Sequence, residues 1–209
     1  MGVQLTQEMI KGAQLTEEKY GVPASITLGQ ILLESGGSYA GGLSGLAYKG
    51  KNLFGMKGEG TAGSIYLTTK EQGSNGTYAT TAKFRKYNSF TESIEDHGKL
   101  LSSVRYQQKT NSATTIREYA GALQSAGYAT DKNYADKLMN VILTNNLIQY
   151  DGTALADNQK SIDNTTDNDE TKLDIFGQVV RFILIFGLVI LAVVFFMKGV
   201  GIENPIPVL

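Results

Sequence analysis

Glu34 is the strongest candidate for a catalytic residue, because it lies at the end of a predicted apolar helix, just before two glycines. The helix is predicted to begin near Pro23, which is favoured in a first turn where its missing N–H is not needed. Apolar side chains on nearly every side predict that the helix is buried. Burial and the negative end of the helix dipole would both raise the pKa of Glu34. Such a group could act as the general acid that cleavage of a glycosidic bond requires, whereas a solvated helix-end glutamate could not.

The composition argues against several other kinds of catalytic site. The chain of 209 residues has no cysteine, which excludes disulfides, zinc–thiolate sites and cysteine nucleophiles. Its single histidine, His97, argues against a histidine-rich metal site or a Ser-His-Asp triad, and we expect neither metal nor cofactor. Residues 1–150 carry 15 Lys and Arg against 12 Asp and Glu, an excess too small to predict a nucleic-acid partner.

Helices are predicted on both sides of a glycine-rich region. Together with a β-hairpin predicted between them, they indicate an α+β fold. Residues 6–20 form a first helix with a threonine N-cap. Residues 36–63 contain ten glycines and are predicted to be a long irregular loop region. Capping boxes at Ser89 and Thr115 begin two further helices, the first continuing to Val104, and a last helix follows.

A β-hairpin is predicted over residues 64–87, turning at Asn75-Gly76. Its first strand places Ile65, Leu67 and Glu71 on one face because side chains alternate along a strand. Glu71 therefore lies at the turn end of this strand.

The last part of the chain changes character twice. Residues 151–172 contain six acidic residues and almost no large apolar residue, which predicts a flexible acidic linker, or alternatively a surface loop of the same domain. Residues 175–197 are apolar apart from two polar residues near their start. As a helix they would measure about 34 Å, enough to cross a hydrocarbon core of ~30 Å. We assign residues 173–200 to a transmembrane helix in a lipid bilayer and residues 201–209 to a short tail.

The signals for membrane orientation conflict. Lys198 follows the predicted span and acidic residues precede it, so the positive-inside rule favours a cytoplasmic C-terminus. The large N-terminal domain would then face away from the cytoplasm. Yet the first residues have neither the basic region nor the apolar core of a secretory signal.

Four stretches of residues 1–150 match one known family in its order. They are Gly21-Val-Pro-Ala-Ser to Leu33-Glu34-Ser-Gly, Asn52-Leu-Phe-Gly-Met-Lys57, Ala82-Lys-Phe-Arg-Lys-Tyr87 with residues 89–96, and Gly127-Tyr-Ala-Thr-Asp to Tyr134-Ala. This part of the chain resembles the bacterial glucosaminidase family of peptidoglycan hydrolases, which includes flagellar-rod and autolysin glucosaminidases. Each stretch alone is modestly specific, whereas four with compatible spacing are strong evidence. The linker and the span lie outside the resemblance.

The resemblance implies a lysozyme-like, mainly helical α+β domain with a β-hairpin lobe. Such a domain would cleave the β-1,4 bond between N-acetylglucosamine and N-acetylmuramic acid. Glu34 matches the family's general acid, and Glu71 occupies the place of a second carboxylate on the hairpin, with Glu59 as the alternative. Tyr134, or else Tyr128, matches the aromatic residue that lines the site of the cleaved sugar.

Further residues of the matched stretches are candidates for binding the glycan strand. They are Ser35, Asn52, Phe54, Gly55, Tyr87 and Tyr128. By residue type alone, Asn52 and Phe54 suit either loop packing or the amide and apolar face of a sugar. His97 is expected to be a surface or packing residue, and the adjacent Glu95-Asp96 pair a solvated helix face.

The resemblance leaves three functions open. The first is a membrane-tethered endo-β-N-acetylglucosaminidase, with peptidoglycan glycan strands as its partner. The second is a lytic transglycosylase on the same fold, for which one glutamate suffices. The third is an inactive wall-binding membrane protein. The missing secretory signal further suggests a phage or mobile-element enzyme, with its domain facing the wall from a host envelope or a virion's internal membrane.

Overall fold

A computed structural model of the chain describes residues 2–73, 76–152, 155 and 157–159. These residues belong to a unit that extends from Met1 to Lys160. Its helices and strands, in chain order, are α1 (Gln7–Tyr20), α2 (Ala24–Glu34), β1 (Gly36–Tyr39), α3 (Gly45–Gly50), β2 (Ser64–Gly73), β3 (Gly76–Arg85), α4 (Phe90–Leu101), α5 (Val104–Thr110), α6 (Ile116–Ser125) and α7 (Tyr134–Thr144). The predicted mainly helical α+β domain with one hairpin is confirmed.

Helix α2 passes through the core. Every residue from Ala24 to Ile31 is buried, and α1, α7 and a 3₁₀ turn at Leu147–Tyr150 pack against the helix. The prediction of a buried helix is thereby confirmed. Its last turn reaches the surface, where Leu33 and Glu34 are exposed.

Local capping signals define where several helices begin. In each of three cases a hydroxyl accepts a hydrogen bond from the N–H three residues further on, as predicted for Thr6, Ser89 and Thr115. Helix α1 ends at Gly21, whose φ of 70° is the left-handed conformation favoured by glycine.

Strands β2 and β3 form the predicted hairpin as a two-stranded antiparallel sheet. The register pairs Gly73 with Gly76 and Glu71 with Tyr78. Glu71 therefore occupies the turn end of β2, as expected. Asn75, the first residue of the predicted turn, lies outside the described residues.

The glycine-rich region 36–63 is more regular than predicted. It contains β1, a 3₁₀ turn at Ala40–Gly42 and helix α3. Helix α3 forms despite its two glycines because the Ser44 hydroxyl caps it, accepting from Ala47 N, and because Ala47 is fully buried. The prediction of an irregular loop throughout was wrong, since a six-residue helix that begins and ends with glycine has no detectable apolar period.

The helix predicted to continue to Val104 is divided into two. Helix α4 ends at Leu101, Ser102 N donates to Gly98 O, and α5 starts at Val104 with Ser103 as its N-cap. Val104 is 69% exposed, so it does not extend the buried face of α4. That part of the prediction was wrong because it counted Val104 as a core position.

Helices α1 and α4 pack closely against each other because Gly98 has no side chain. A Cβ atom at this position would lie 2.1 Å from Cγ2 of Thr16. Thr16 is itself buried and β-branched, so it has little freedom to move aside.

The chain beyond residue 150 returns to the N-terminal ends of two helices. Asp151 Oδ1 accepts from Ser25 N in α2 at 2.6 Å, and Gln159 Oε1 accepts from Arg117 N in α6 at 3.1 Å. Leu155 packs against the core.

In the part of the chain that the structure describes, no helix is long and apolar enough to cross a membrane. The remainder of the predicted linker 151–172, the predicted transmembrane helix 173–200 and the tail 201–209 lie outside the described residues.

Candidate active site

Glu34 ends α2 at a surface position partly enclosed by protein. The resulting loss of hydration raises the pKa of its carboxyl above the usual value, the direction expected from the sequence. Its charge also contributes to the raised pKa of two phenols, those of Tyr128 and Tyr134. The carboxylate and both hydroxyls therefore lie close enough to interact electrostatically.

Tyr134 is placed beside this carboxylate by the packing of α7 on α2. Its hydroxyl accepts a hydrogen bond from Nε2 of Gln30 at 2.9 Å, and Gln30 lies about one turn before Glu34. The adjacent Gly29 allows the close approach, because a Cβ atom there would lie 2.8 Å from Leu138 of α7. Burial raises the pKa of Tyr134, so its phenol is neutral.

Tyr128 follows a turn that Arg105 stabilises. Gly127 has a φ of 76°, and the Arg105 guanidinium donates to its carbonyl at 2.9 Å. The Tyr128 ring packs against the Tyr134 ring with centroids 5.3 Å apart. Its hydroxyl lies 3.0 Å from Nε2 of His97. Burial raises the pKa of Tyr128 well above its usual value, and the charges of Tyr134 and Glu34 add to the effect.

His97 is a packing residue rather than a surface residue. Its side chain is fully buried in α4, and the Phe54 ring stacks on it with centroids 3.8 Å apart and planes 6° from parallel. Burial lowers the pKa of His97 to about 3, so the imidazole is neutral. Phe54 thus joins the aromatic group of Tyr128 and Tyr134 through His97.

Asn52 holds the loop that presents Phe54. Its Nδ2 donates to Met56 O at 2.8 Å and to Arg85 O at 2.9 Å, and its Oδ1 accepts from Met56 N at 3.0 Å. The side chain is 1% exposed. Its amide is thus engaged within the protein, and its contact with a sugar stays a prediction.

Two further predicted binding residues shape the backbone. Ser35 is buried, and its hydroxyl donates to Ile31 O at 2.7 Å, which ties down the end of α2. Gly55 has a φ of 66°, a conformation that glycine adopts without strain.

Tyr87 is engaged in a separate polar cluster. Its hydroxyl donates to Asp96 at 2.6 Å, and Asp96 also pairs with Arg85. Asp96 was predicted to lie with Glu95 on a solvated helix face, which is wrong for Asp96 because the end of β3 supplies it with a cation. Glu95 does lie at the surface, paired with Lys19.

The two candidates for a second carboxylate differ in their surroundings. Glu59 is highly exposed, and its salt bridge with Lys83 at 2.8 Å lowers the pKa of its carboxyl, so it is ionised. Glu71 lies in β2 opposite Tyr78. Its role as the second carboxylate stays a prediction.

Gln30 and His97 are the residues of this site that the sequence analysis did not assign to it. A glutamine in an otherwise apolar buried helix, one turn before the candidate acid, is a signal that could have identified Gln30. Nothing local marks His97, because its partners come from distant segments. Among the described residues, no group of three His, Cys, Asp or Glu side chains could hold a metal ion.

The sequence of this domain matches a known family over most of its length. The glucosaminidase family, described as mannosyl-glycoprotein endo-beta-N-acetylglucosaminidase, matches residues 10–147. The chain belongs to the glucosaminidase family. The matched region includes Glu34, the hairpin, Tyr128 and Tyr134, so the family relationship covers the whole candidate site.

Individual relatives of this glucosaminidase domain come from several bacteria. The exo-glucosaminidase LytG of Bacillus subtilis is 37% identical over 173 residues, which cover 79% of this chain and 59% of LytG. The peptidoglycan hydrolase FlgJ of Escherichia coli K12 is 39% identical over 133 residues, 62% of this chain and 42% of FlgJ. The chain therefore spans about half the length of these relatives.

A solved structure shares the fold of the glucosaminidase domain. The catalytic domain of the autolysin Auto from Listeria monocytogenes superposes with a TM-score of 0.62 at 34% identity. The superposition covers 68% of this chain and 83% of that domain.

Proposed function

We propose that this protein is a peptidoglycan hydrolase that cleaves the β-1,4 bond between N-acetylglucosamine and N-acetylmuramic acid. The observation that supports this most is the raised pKa of Glu34 beside two neutral phenols in a glucosaminidase-family domain. The names of LytG and FlgJ, a glucosaminidase and a peptidoglycan hydrolase, point to the same substrate.

Glu34 acts as the general acid in this mechanism. A protonated carboxyl donates its proton to the leaving glycosidic oxygen as positive charge develops on the sugar being cleaved. The neutral hydroxyl of Tyr134, which accepts from Tyr128, can donate a hydrogen bond to the carboxylate that remains. Phe54 and Tyr128, which are both partly exposed, can offer apolar faces to the sugar.

A second group must stabilise the developing charge or activate a water molecule. Glu71 could act as the base, in which case the two carboxyl groups should be ~6.5–9.5 Å apart in the substrate complex. The alternative is the acetamido group of the substrate itself. Glu59 suits the role less, because its carboxylate is paired with Lys83.

The first test is the activity of the Glu34→Gln variant on purified peptidoglycan. We expect release of reducing ends to fall at least about 100-fold, because an amide cannot donate the proton. Glu18→Gln, at an exposed position of α1, is the matched control and should retain activity. Equal activity of Glu34→Gln and wild type would contradict the assignment.

The products identify the bond that is broken. Mass spectrometry should show new reducing ends that are N-acetylglucosamine. Anhydro-muramic ends would instead indicate a lytic transglycosylase, and no new ends from the wild type would indicate a wall-binding module. If only single sugars are released, the enzyme cleaves from the chain end, as an exo-enzyme does, and the predicted endo specificity is wrong.

We further propose that residues 175–197 anchor the domain in a bilayer, with the part of the predicted acidic linker 151–172 that follows residue 160 giving it reach to the wall. The support is the apolar composition of this stretch, in which the two polar residues both lie near its start. The wall-facing orientation would apply equally to a host envelope or a virion's internal membrane. Sealed membranes or particles containing the full chain should show whether the domain is protected from added protease. Digestion from the cytoplasmic side alone would contradict the orientation, and extraction by carbonate would contradict the span.

A further inference from the structure

His97 is a buried polar side chain that has one polar partner in the described part of the chain. Its imidazole is fully buried, and Nε2 lies 3.0 Å from the Tyr128 hydroxyl. No hydrogen-bond partner for Nδ1 is found among the described residues. The stacked Phe54 ring covers one face of the imidazole.

This geometry favours one tautomer of the neutral imidazole. With the proton on Nδ1, a buried N–H donor would have no acceptor, and orphaned buried donors are rarer in proteins than under-used acceptors. With the proton on Nε2, the N–H donates to the Tyr128 oxygen, and only a lone pair on Nδ1 is left without a partner. The contacts therefore select the Nε2–H form.

The bond from His97 also fixes the direction of the Tyr128 proton. The phenolic oxygen uses a lone pair to accept the imidazole N–H, so its own O–H must point elsewhere. A hydrogen bond with the Tyr134 hydroxyl contributes to the raised pKa of Tyr128, so the Tyr128 O–H is the donor in that bond.

Gln30 gives Tyr134 the same arrangement. Its Nε2 donates to the Tyr134 hydroxyl at 2.9 Å from within the buried part of α2. Each phenol thus receives one N–H from the core. The Tyr128 proton is donated to the Tyr134 oxygen, and the Tyr134 proton remains available on the side of the carboxylate.

We propose that His97 is a positioning residue for the reaction: its neutral Nε2–H donates to Tyr128 and orients the Tyr128 hydroxyl as a donor to Tyr134, so that the Tyr134 hydroxyl is left to donate towards Glu34 and the substrate. The hydrogen bond itself is independent of the reaction. Its catalytic effect rests on the proposed function.

The tautomer can be measured directly in the wild-type chain. His97 is the only histidine in the sequence, so ¹⁵N-labelled histidine in an untagged full chain gives one imidazole spin system. We expect a protonated Nε2 and an unprotonated Nδ1 at neutral pH. A protonated Nδ1, or an imidazolium, would overturn the proposal whatever the activity.

Two substitutions separate the donor from the packing. Gln in His97→Gln can keep an N–H near the position of Nε2, whereas His97→Leu keeps apolar volume and removes the donor. Removal of a single positioning bond should lower kcat of His97→Leu roughly tenfold with KM within about twofold. His97→Gln should recover most of this loss. Equal loss in both, with melting temperatures like that of the wild type, would overturn the proposal.

A double variant tests whether His97 acts through Tyr128. If it does, adding His97→Leu to Tyr128→Phe should change kcat little further, because the hydroxyl to be oriented is already absent. Independent, multiplicative losses would overturn the proposal. A wild-type chain without activity would count against the proposed function, while the tautomer measurement would still decide the hydrogen bond.

Discussion

Glu34, Tyr128 and Tyr134 have raised pKa values for a shared physical reason. Each loses hydration in the folded chain, and this disfavours its charged form. The tyrosines start from a pKa near 10, so burial keeps them neutral at any ordinary pH. The ordinary pKa of a glutamate such as Glu34 is 4.5, so Glu34 is the one of the three that changes its protonation state within the pH range in which enzymes work.

The pH dependence of activity should therefore follow Glu34. A general acid works only while protonated, so the rate falls as pH rises through its pKa in the free enzyme. Because burial raises that pKa, the basic limb of the kcat/KM profile should lie above pH 4.5. A profile on soluble glycan fragments checks this. A basic limb at or below 4.5 would show that another group controls the rate.

How far the sequence predicts this site depends on how local each contact is. Glu34 follows from an apolar helix and the glycines after it, which lie within one short stretch. His97 depends on Phe54 and Tyr128, which two other segments supply. Asp96 was misjudged for the same reason, since its partner Arg85 lies at the end of a strand.

At the scale of elements, the loop after α3 is connected to the hairpin by one side chain. Asn52 bonds both to Met56 within the loop and to Arg85 O at the end of β3. Phe54 lies between Asn52 and Met56, so the same bonds place its ring on His97. Asn52 therefore influences the aromatic group without belonging to it.

Replacement of Asn52 by alanine should destabilise the domain. It leaves Arg85 O and the Met56 backbone without their partner, which costs about 2 kcal/mol in the free energy of unfolding. Urea unfolding followed by circular dichroism measures the change. Asn111→Ala, at an exposed position, should shift stability by less than about 0.5 kcal/mol. Equal stability of Asn52→Ala and wild type would show that the loop does not depend on this side chain.

The helices that the sequence predicted are those with strong local signals. Thr6, Ser89 and Thr115 each sit just before a helical apolar pattern, and each caps its helix. Helix α3 was not predicted because glycine is a poor helix former, which gives this stretch a low helix propensity. What stabilises it is the cap from Ser44 and the burial of Ala47.

At the scale of the whole molecule, the chain after residue 150 supplies caps to helices formed much earlier. Pro23 at the start of α2 makes no side-chain cap bond, and Asp151 provides an acceptor there instead. Its negative charge also suits the positive end of the helix dipole. In the same manner, the Gln159 side chain accepts a hydrogen bond from Arg117 N in the first turn of α6.

Truncation should reveal this dependence. A chain ending at residue 160 keeps both acceptors and Leu155, whereas one ending at residue 150 lacks all three. At about 1 kcal/mol per cap, the shorter chain should lose at least about 2 kcal/mol of unfolding free energy. Thermal unfolding of the two chains compares them. Equal melting temperatures would place the end of the folded domain at residue 150, the boundary predicted from the sequence.

The close contact of Gly98 with Thr16 has a consequence for how sequences of this family can diverge. Because α1 and α4 meet where one residue has no Cβ and the other has a methyl group, position 98 cannot gain a side chain while the methyl group at position 16 remains. A lineage that acquires alanine at position 98 must first lose the methyl group at position 16, or move the two helices apart. The two positions should therefore covary among homologues that keep this helix spacing, although they lie far apart in the chain and outside the candidate active site.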